Sequence, residues 1–289
     1  MKKLMLLTAS ALMTSQLMAA DKSALTFDIY NADENSFYVT STLIYGETEA
    51  MLVDTGFTKA DALRIAAKVY DSGKTLKTIF ISQADPDYYF GAEVLHNLFP
   101  EAKIITTAAV KKTIEKKVKF KVGFWGPKMG TNAPVTPYIP HVTEAKTLTL
   151  DGQRIEIRGT KGLLAHRPYL WVPSEKTILG NVGIYANLHV WMADTQSQAS
   201  INAWKQQLND MQALQPERVI PGHKTAATQN LDTSLIRYTQ NYIQDFVQAK
   251  GTAENSQELI EVMLSKYADA AEASSLELGA KVHMGELKW

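Results

Sequence analysis

The ten residues from Ser82 to Gly91, Ser-Gln-Ala-Asp-Pro-Asp-Tyr-Tyr-Phe-Gly, hold the densest chemistry of this chain. Asp85 and Asp87 are carboxylates two positions apart, with the Gln83 amide before them and the Tyr88 phenol after. They follow a buried-strand pattern, Thr78-Ile79-Phe80-Ile81, and read as a metal-binding turn at a strand end. The plainer reading is a surface turn in which Asp87 caps the next helix. Tyr88 fits three roles there: phenolate ligand, proton donor or packing.

The surrounding pattern says what must position these groups. Residues 25–30, 36–40 and 41–45 alternate like antiparallel strands, and 46–49 turn into a further strand at 50–53. Asp54-Thr55-Gly56 closes that strand, and residues 58–70 follow helical periodicity. A helix is expected at 92–98, a strand at 103–106 and a Lys-rich helix at 108–119, followed by a Gly/Pro/Thr-rich loop from Gly123 to Pro140. Strands follow near 146–150, 155–159, 169–172 and 177–180, then an amphipathic helix at 198–213. Arg218 to His223 is one more strand and turn, and residues 231–273 read as helix with a break at 251–253. Helices outside two packed sheets follow from that order, an α/β chain folded as a four-layer αβ/βα sandwich with C-terminal helices. Residues 21–289 are expected to form one domain.

Five ordered blocks then resemble the metallo-β-lactamase fold, and more loosely its Vmh-type branch. They are Leu52-Val53-Asp54-Thr55-Gly56, the turn from Gln83 to Gly91, His166 before a strand, Ile178-Leu179-Gly180-Asn181, and Pro221-Gly222-His223. The family's His-x-His-x-Asp-His loop is altered: Gln83 and Asp85 replace the leading histidines, Asp87 is kept, and Tyr88 takes the last position. Asn181 stands where the family has a bridging aspartate. The resemblance implies a metal-bound water attacking an ester, amide, lactone or phosphoester, with Asp87 and Tyr88 as catalytic candidates. Its ligand positions map to Gln83, Asp85, Asp87, His166, Asn181 and His223. With two carboxylates and two imidazoles there, the expectation is at most one divalent ion, whether zinc, manganese or iron. Oxygen-rich donors favour the harder ions. A non-catalytic binding protein on the same fold is the rival expectation, since Gln83, Asn181 and Tyr88 suit hydrogen bonding to a polar ligand.

Composition narrows the field further. Thirty basic residues balance thirty acidic ones, which gives no footprint for nucleic acid. The absence of cysteine excludes disulfides, thiolate ligands and a cysteine nucleophile. Met1-Lys2-Lys3, an apolar stretch to Met18 and Ala19-Ala20 read as a signal peptide spanning residues 1–20, so a periplasmic or secreted protein without a stable membrane span is expected. The partner expected is a small-molecule substrate. His189 and Asp194 are weaker candidates for a paired group near the pocket. The lysines of 111–121 and the following Phe124-Trp125 read either as a lid or as a solvated helix with Trp125 packed down.

Overall fold

A computed structural model describes residues 24–180 and 183–289; the expected signal peptide and Asn181 lie outside the described residues. In chain order the strands of the first half are β1 (Thr26–Asn31), β2 (Thr40–Tyr45), β3 (Glu49–Val53), β4 (Thr75–Phe80), β5 (Lys103–Thr106) and β6 (His141–Val142). Interleaved helices are α1 (Lys59–Ser72), α2 (Pro86–Tyr89), α3 (Ala92–Leu98) and α4 (Ala108–Met129). The second half has β7 (Thr147–Leu150), β8 (Gln153–Arg158), β9 (Tyr169–Val172), β10 (Thr177–Leu179), β11 (Tyr185–Ala186), α5 (Gln198–Ala213), β12 (Arg218–Val219) and β13 (His223–Lys224). Helices α6 (Ser234–Thr252), α7 (Ser256–Lys266) and α8 (Ala273–His283) complete the order.

One sheet runs β1 to β6 in sequence order, antiparallel as far as β3 and parallel from there. The other is ordered β12-β10-β9-β8-β7. Strand alternation sorts the apolar residues into layers. Ile44, Met51, Val53 and Phe80 of the first sheet meet Ile155, Leu170, Val172 and Leu179 of the second. Their neighbours Leu43, Leu52 and Ile79 face outward onto Ala62 and Ile65 of α1 and Val110 of α4. On the far side Trp171 and Ile178 pack with Ile201 and Trp204 of α5 and Ile243 and Phe246 of α6. Helix, sheet, sheet, helix is the αβ/βα order the sequence implies. Among the described residues no helix is long and apolar enough to cross a membrane.

Two local expectations need correction. Residues 36–38 do not continue a strand: Glu34–Ser36 make a 3-10 turn, and Phe37 and Tyr38 follow with φ of 57° and 55°. Asp61 fixes that turn, accepting hydrogen bonds from Tyr30 Oη (2.6 Å), Ser36 Oγ (2.6 Å) and Thr58 Oγ1 (2.8 Å). The loop expected from Gly123 is helix as far as Met129. Glycine in a helix costs about 1 kcal/mol relative to alanine. Packing offsets it: the Trp125 ring lies 5.4 Å from Phe37 and 5.3 Å from Phe57, edge-on to both.

Candidate functional site

The turn after β4 is held from below. Asp54, with φ of 64° at the end of β3, accepts from Ser82 N and Ser82 Oγ, each at 2.7 Å. Burial pushes its carboxyl up to about 7, and the two Ser82 hydrogen bonds pull the other way. Thr55 donates through both N and Oγ1 to the Tyr88 carbonyl, at 2.9 and 3.0 Å. Gly91 lets the start of α3 press onto this strand end, because a Cβ there would collide with the Thr55 carbonyl oxygen. Short strands and obligatory small residues thus aim α2 at one cavity.

That cavity, of about 280 Å³, is bounded by α2, α4, the segment from Tyr185 to Asp194, and the start of α8. Asp85, Asp87, Tyr88 and His223 all line it. His223 is clamped on both ring nitrogens. Its Nδ1 lies 2.8 Å from the Phe37 carbonyl, which only accepts, so Nδ1 carries the proton and Nε2 is the acceptor. The Tyr88 hydroxyl, 3.0 Å away, donates to that Nε2. Tyr185 stacks on the same imidazole at 5.1 Å with an interplanar angle of 11°. Burial lowers the His223 pKa to about 4 and leaves the ring neutral.

The carboxylates differ from each other. Asp87 is 8 % exposed, and its Oδ2 is 3.6 Å from His223 Nε2, beyond hydrogen-bond distance. Burial first, and the neighbouring Asp85 second, raise its pKa to about 8. Asp85 is also raised by burial and by Asp194, against the pull of Lys121, whose Nζ is 3.9 Å away. Asp85 stands at the N-cap of α2, but its side chain makes no capping bond. The turn is therefore not explained by helix capping.

The remaining candidates lie elsewhere. His166 is outside the cavity wall, half-buried and neutral, its pKa lowered to about 4 by burial and then by Arg167. Gln83 is buried, and its amide nitrogen meets no hydrogen-bond partner among the described residues. His189 does line the cavity, yet its Nδ1 is engaged by Tyr242 Oη at 2.9 Å, not by Asp194. Asp194 instead accepts from the indole nitrogens of Trp191 (2.8 Å) and Trp289 (2.9 Å). Sequence reading missed the aromatic wall contributed by Phe37, Phe57, Tyr185, Trp191 and Trp289. It also missed Lys121 as the ammonium facing Asp85; the Lys-rich run signalled charge but not which lysine turns inward.

The fit to a divalent ion can be tested on these donors. Among the described residues no three His, Asp or Glu side chains gather closely enough to hold a metal. The causes are visible in the contacts. Tyr88 occupies the acceptor nitrogen of His223, Lys121 supplies the cation beside Asp85, and His166 stands off the wall. The described donor set does not fit a resident metal, so no chemistry is routed through one.

The αβ/βα sandwich, with its carboxylate-bearing turn at the end of the fourth strand, defines the fold class. The family model described as the metallo-beta-lactamase superfamily matches residues 35–223, and the chain belongs to that superfamily. Solved structures agree on the fold. A metallo-beta-lactamase family protein from Thermus thermophilus matches at a TM-score of 0.60 and 16% identity, over 90% of this chain and 94% of its own. A metallo-beta-lactamase from Pontibacter korlensis matches at 0.54 and 16%, over 78% and 96%. The DIM-1 metallo-beta-lactamase matches at 0.53 and 16%, over 76% and 92%. A search of curated proteins by sequence returned no match.

Proposed function

We propose that this protein is an exported, single-domain member of the superfamily that keeps the hydrolase fold but uses its cavity to bind a small, largely apolar molecule without turnover. The observation that carries this reading is the Tyr88–His223 hydrogen bond. A side chain in the family's last loop position spends the acceptor nitrogen of the last histidine inside the protein. Lys121 beside Asp85 and the ring-lined wall support the same reading, since such cavities hold ligands by apolar contact and a few convergent polar groups. Export rests on the leader pattern of residues 1–20.

The test is metal analysis of dialysed protein, coupled to a screen of esters, amides, lactones and phosphoesters with Asp87→Ala as control. Sub-stoichiometric metal and no turnover are expected. One or more equivalents of zinc, manganese or iron, with hydrolysis abolished by Asp87→Ala, would overturn the binding reading.

One observation favours hydrolysis as the second reading. Asp87 has its pKa near 8 at the polar end of an apolar cavity, where a carboxyl can give or take a proton close to neutral pH. In that case turnover of one of those bond classes changes with a midpoint near pH 8 and disappears in Asp87→Asn.

A further inference from the structure

The charges and the walls of this cavity make separate demands on a ligand, and together they narrow its class. Four carboxylates line it (Asp85, Asp87, Asp194 and Glu272) against one ammonium, Lys121. Three of the four have side-chain partners. Lys121 stands by Asp85, and Asp194 takes both indole N–H groups within the fields of Lys117 and Arg167. Glu272 receives the Ser274 hydroxyl at 2.5 Å. Asp87, nine-tenths buried, has its own backbone N–H and the field of Lys121 as favourable partners, and the accepting nitrogen of His223 stands 3.6 Å away.

The wall beside these acids is ring carbon. Phe37, Phe57, Trp125, Tyr185 and Trp191 all contribute to it. Aromatic faces carry negative charge density and attract cations, most strongly where water is excluded. The chain's own ammonium groups already use the rings at this site. Lys128 Nζ lies 3.3 Å from the Phe124 centroid and 4.9 Å from that of Trp125, and Lys121 Nζ lies 5.9 Å from Trp289.

We propose that the cavity selects a small organic cation with an apolar body, a quaternary or protonated amine, whose charge meets Asp87 while its carbon packs on the aromatic wall. The proposal rests on the reading of this cavity as a ligand site, but it can fail alone. A metal ion satisfies the carboxylate and wastes the rings, whereas a neutral hydrocarbon does the reverse; an alkylammonium uses both.

The full chain is titrated at pH 9, and tryptophan fluorescence reports binding through Trp125, Trp191 and Trp289. The probes are benzyltrimethylammonium, its uncharged isostere neopentylbenzene, and benzoate. The cation is expected to bind about tenfold or more tighter than either of the others. Asp87→Asn is expected to cut that preference to about threefold or less, and its cooperative urea unfolding shows that the variant is folded. Equal or tighter binding of the neutral probe overturns the proposal and leaves the cavity reading standing. So does a cation preference that survives Asp87→Asn. Failure of all three probes to bind overturns the cavity reading and the proposal together.

Discussion

Replacing Asp87 with asparagine keeps the shape of the side chain and removes its charge, and the effect on stability depends on pH in a way the burial dictates. In the unfolded chain this carboxyl titrates near its ordinary value of 3.8; in the fold burial and Asp85 raise it to about 8. Below the lower value both states are protonated and nothing is lost. Between the two values the unfolded chain releases the proton while the folded chain keeps it, so stability falls as pH rises. Above about 8 the penalty is fully present. At about 1.4 kcal/mol per pH unit the whole interval is worth roughly 6 kcal/mol, and about 4 kcal/mol of it falls between pH 5 and pH 9. Asp87→Asn removes that slope. Urea unfolding of both proteins at pH 5, 7 and 9 is expected to show the variant gaining on the parent by up to about 4 kcal/mol across the series. Sharing of the proton with Asp85 brings the measured gain toward the lower half of that range. A gap that stays constant within about 1 kcal/mol would refute the burial argument. A variant that loses ground as pH rises would show that a cation holds Asp87 ionised in the fold.

Other substitutions probe the supports of the site. Tyr88→Phe leaves the buried Nε2 of His223 without a donor, at a cost of about 1–3 kcal/mol in urea unfolding; an unchanged midpoint would mean that the hydroxyl does not hold the ring. Gly91→Ala drives a Cβ against the Thr55 carbonyl, a backbone atom that cannot swing aside. A loss on the order of 3 kcal/mol or more is expected, read as a lowered Tm. Lys121→Met removes the ammonium next to Asp85, so uptake of manganese measured by calorimetry should increase over the parent chain. No change would show that Lys121 does not govern cation access.

The order of layers was legible because it depends on strand alternation and helix period, which a single sequence carries. Leu43 and Ile44, or Ile79 and Phe80, face opposite sides of a sheet, as neighbouring residues in a strand must. The position of the turn after β4 was legible for a similar reason: a buried strand must end, and polar residues mark where. What escaped were features decided by contacts distant in sequence. Nothing local to Gly123, Gly126 and Pro127 argues for helix; the docking of Trp125 on Phe37 and Phe57 does. The reversal at Phe37 and Tyr38 depends on Asp61, well downstream in sequence, and Trp289 meets Asp194 from the other end of the described chain. His166 shows the converse, since it precedes β9 while its side chain does not line the cavity.

The change at position 88 has the largest physical consequence because it alters a partner and not merely a ligand. An imidazole presents a lone pair toward the cavity; a phenol presents a proton, and the nearest lone pair is that of His223. Once that bond forms, the clamp on His223 runs from the Phe37 carbonyl through the ring to the Tyr88 hydroxyl, and every member is neutral. A neutral clamp adds no positive charge beside Asp87, whose carboxyl burial and then Asp85 raise to about 8 against the pull of Lys121. Aromatic rings line much of the cavity behind it. The fold is left here with a buried acid facing an aromatic wall, and the proposed cationic ligand rests on that pairing.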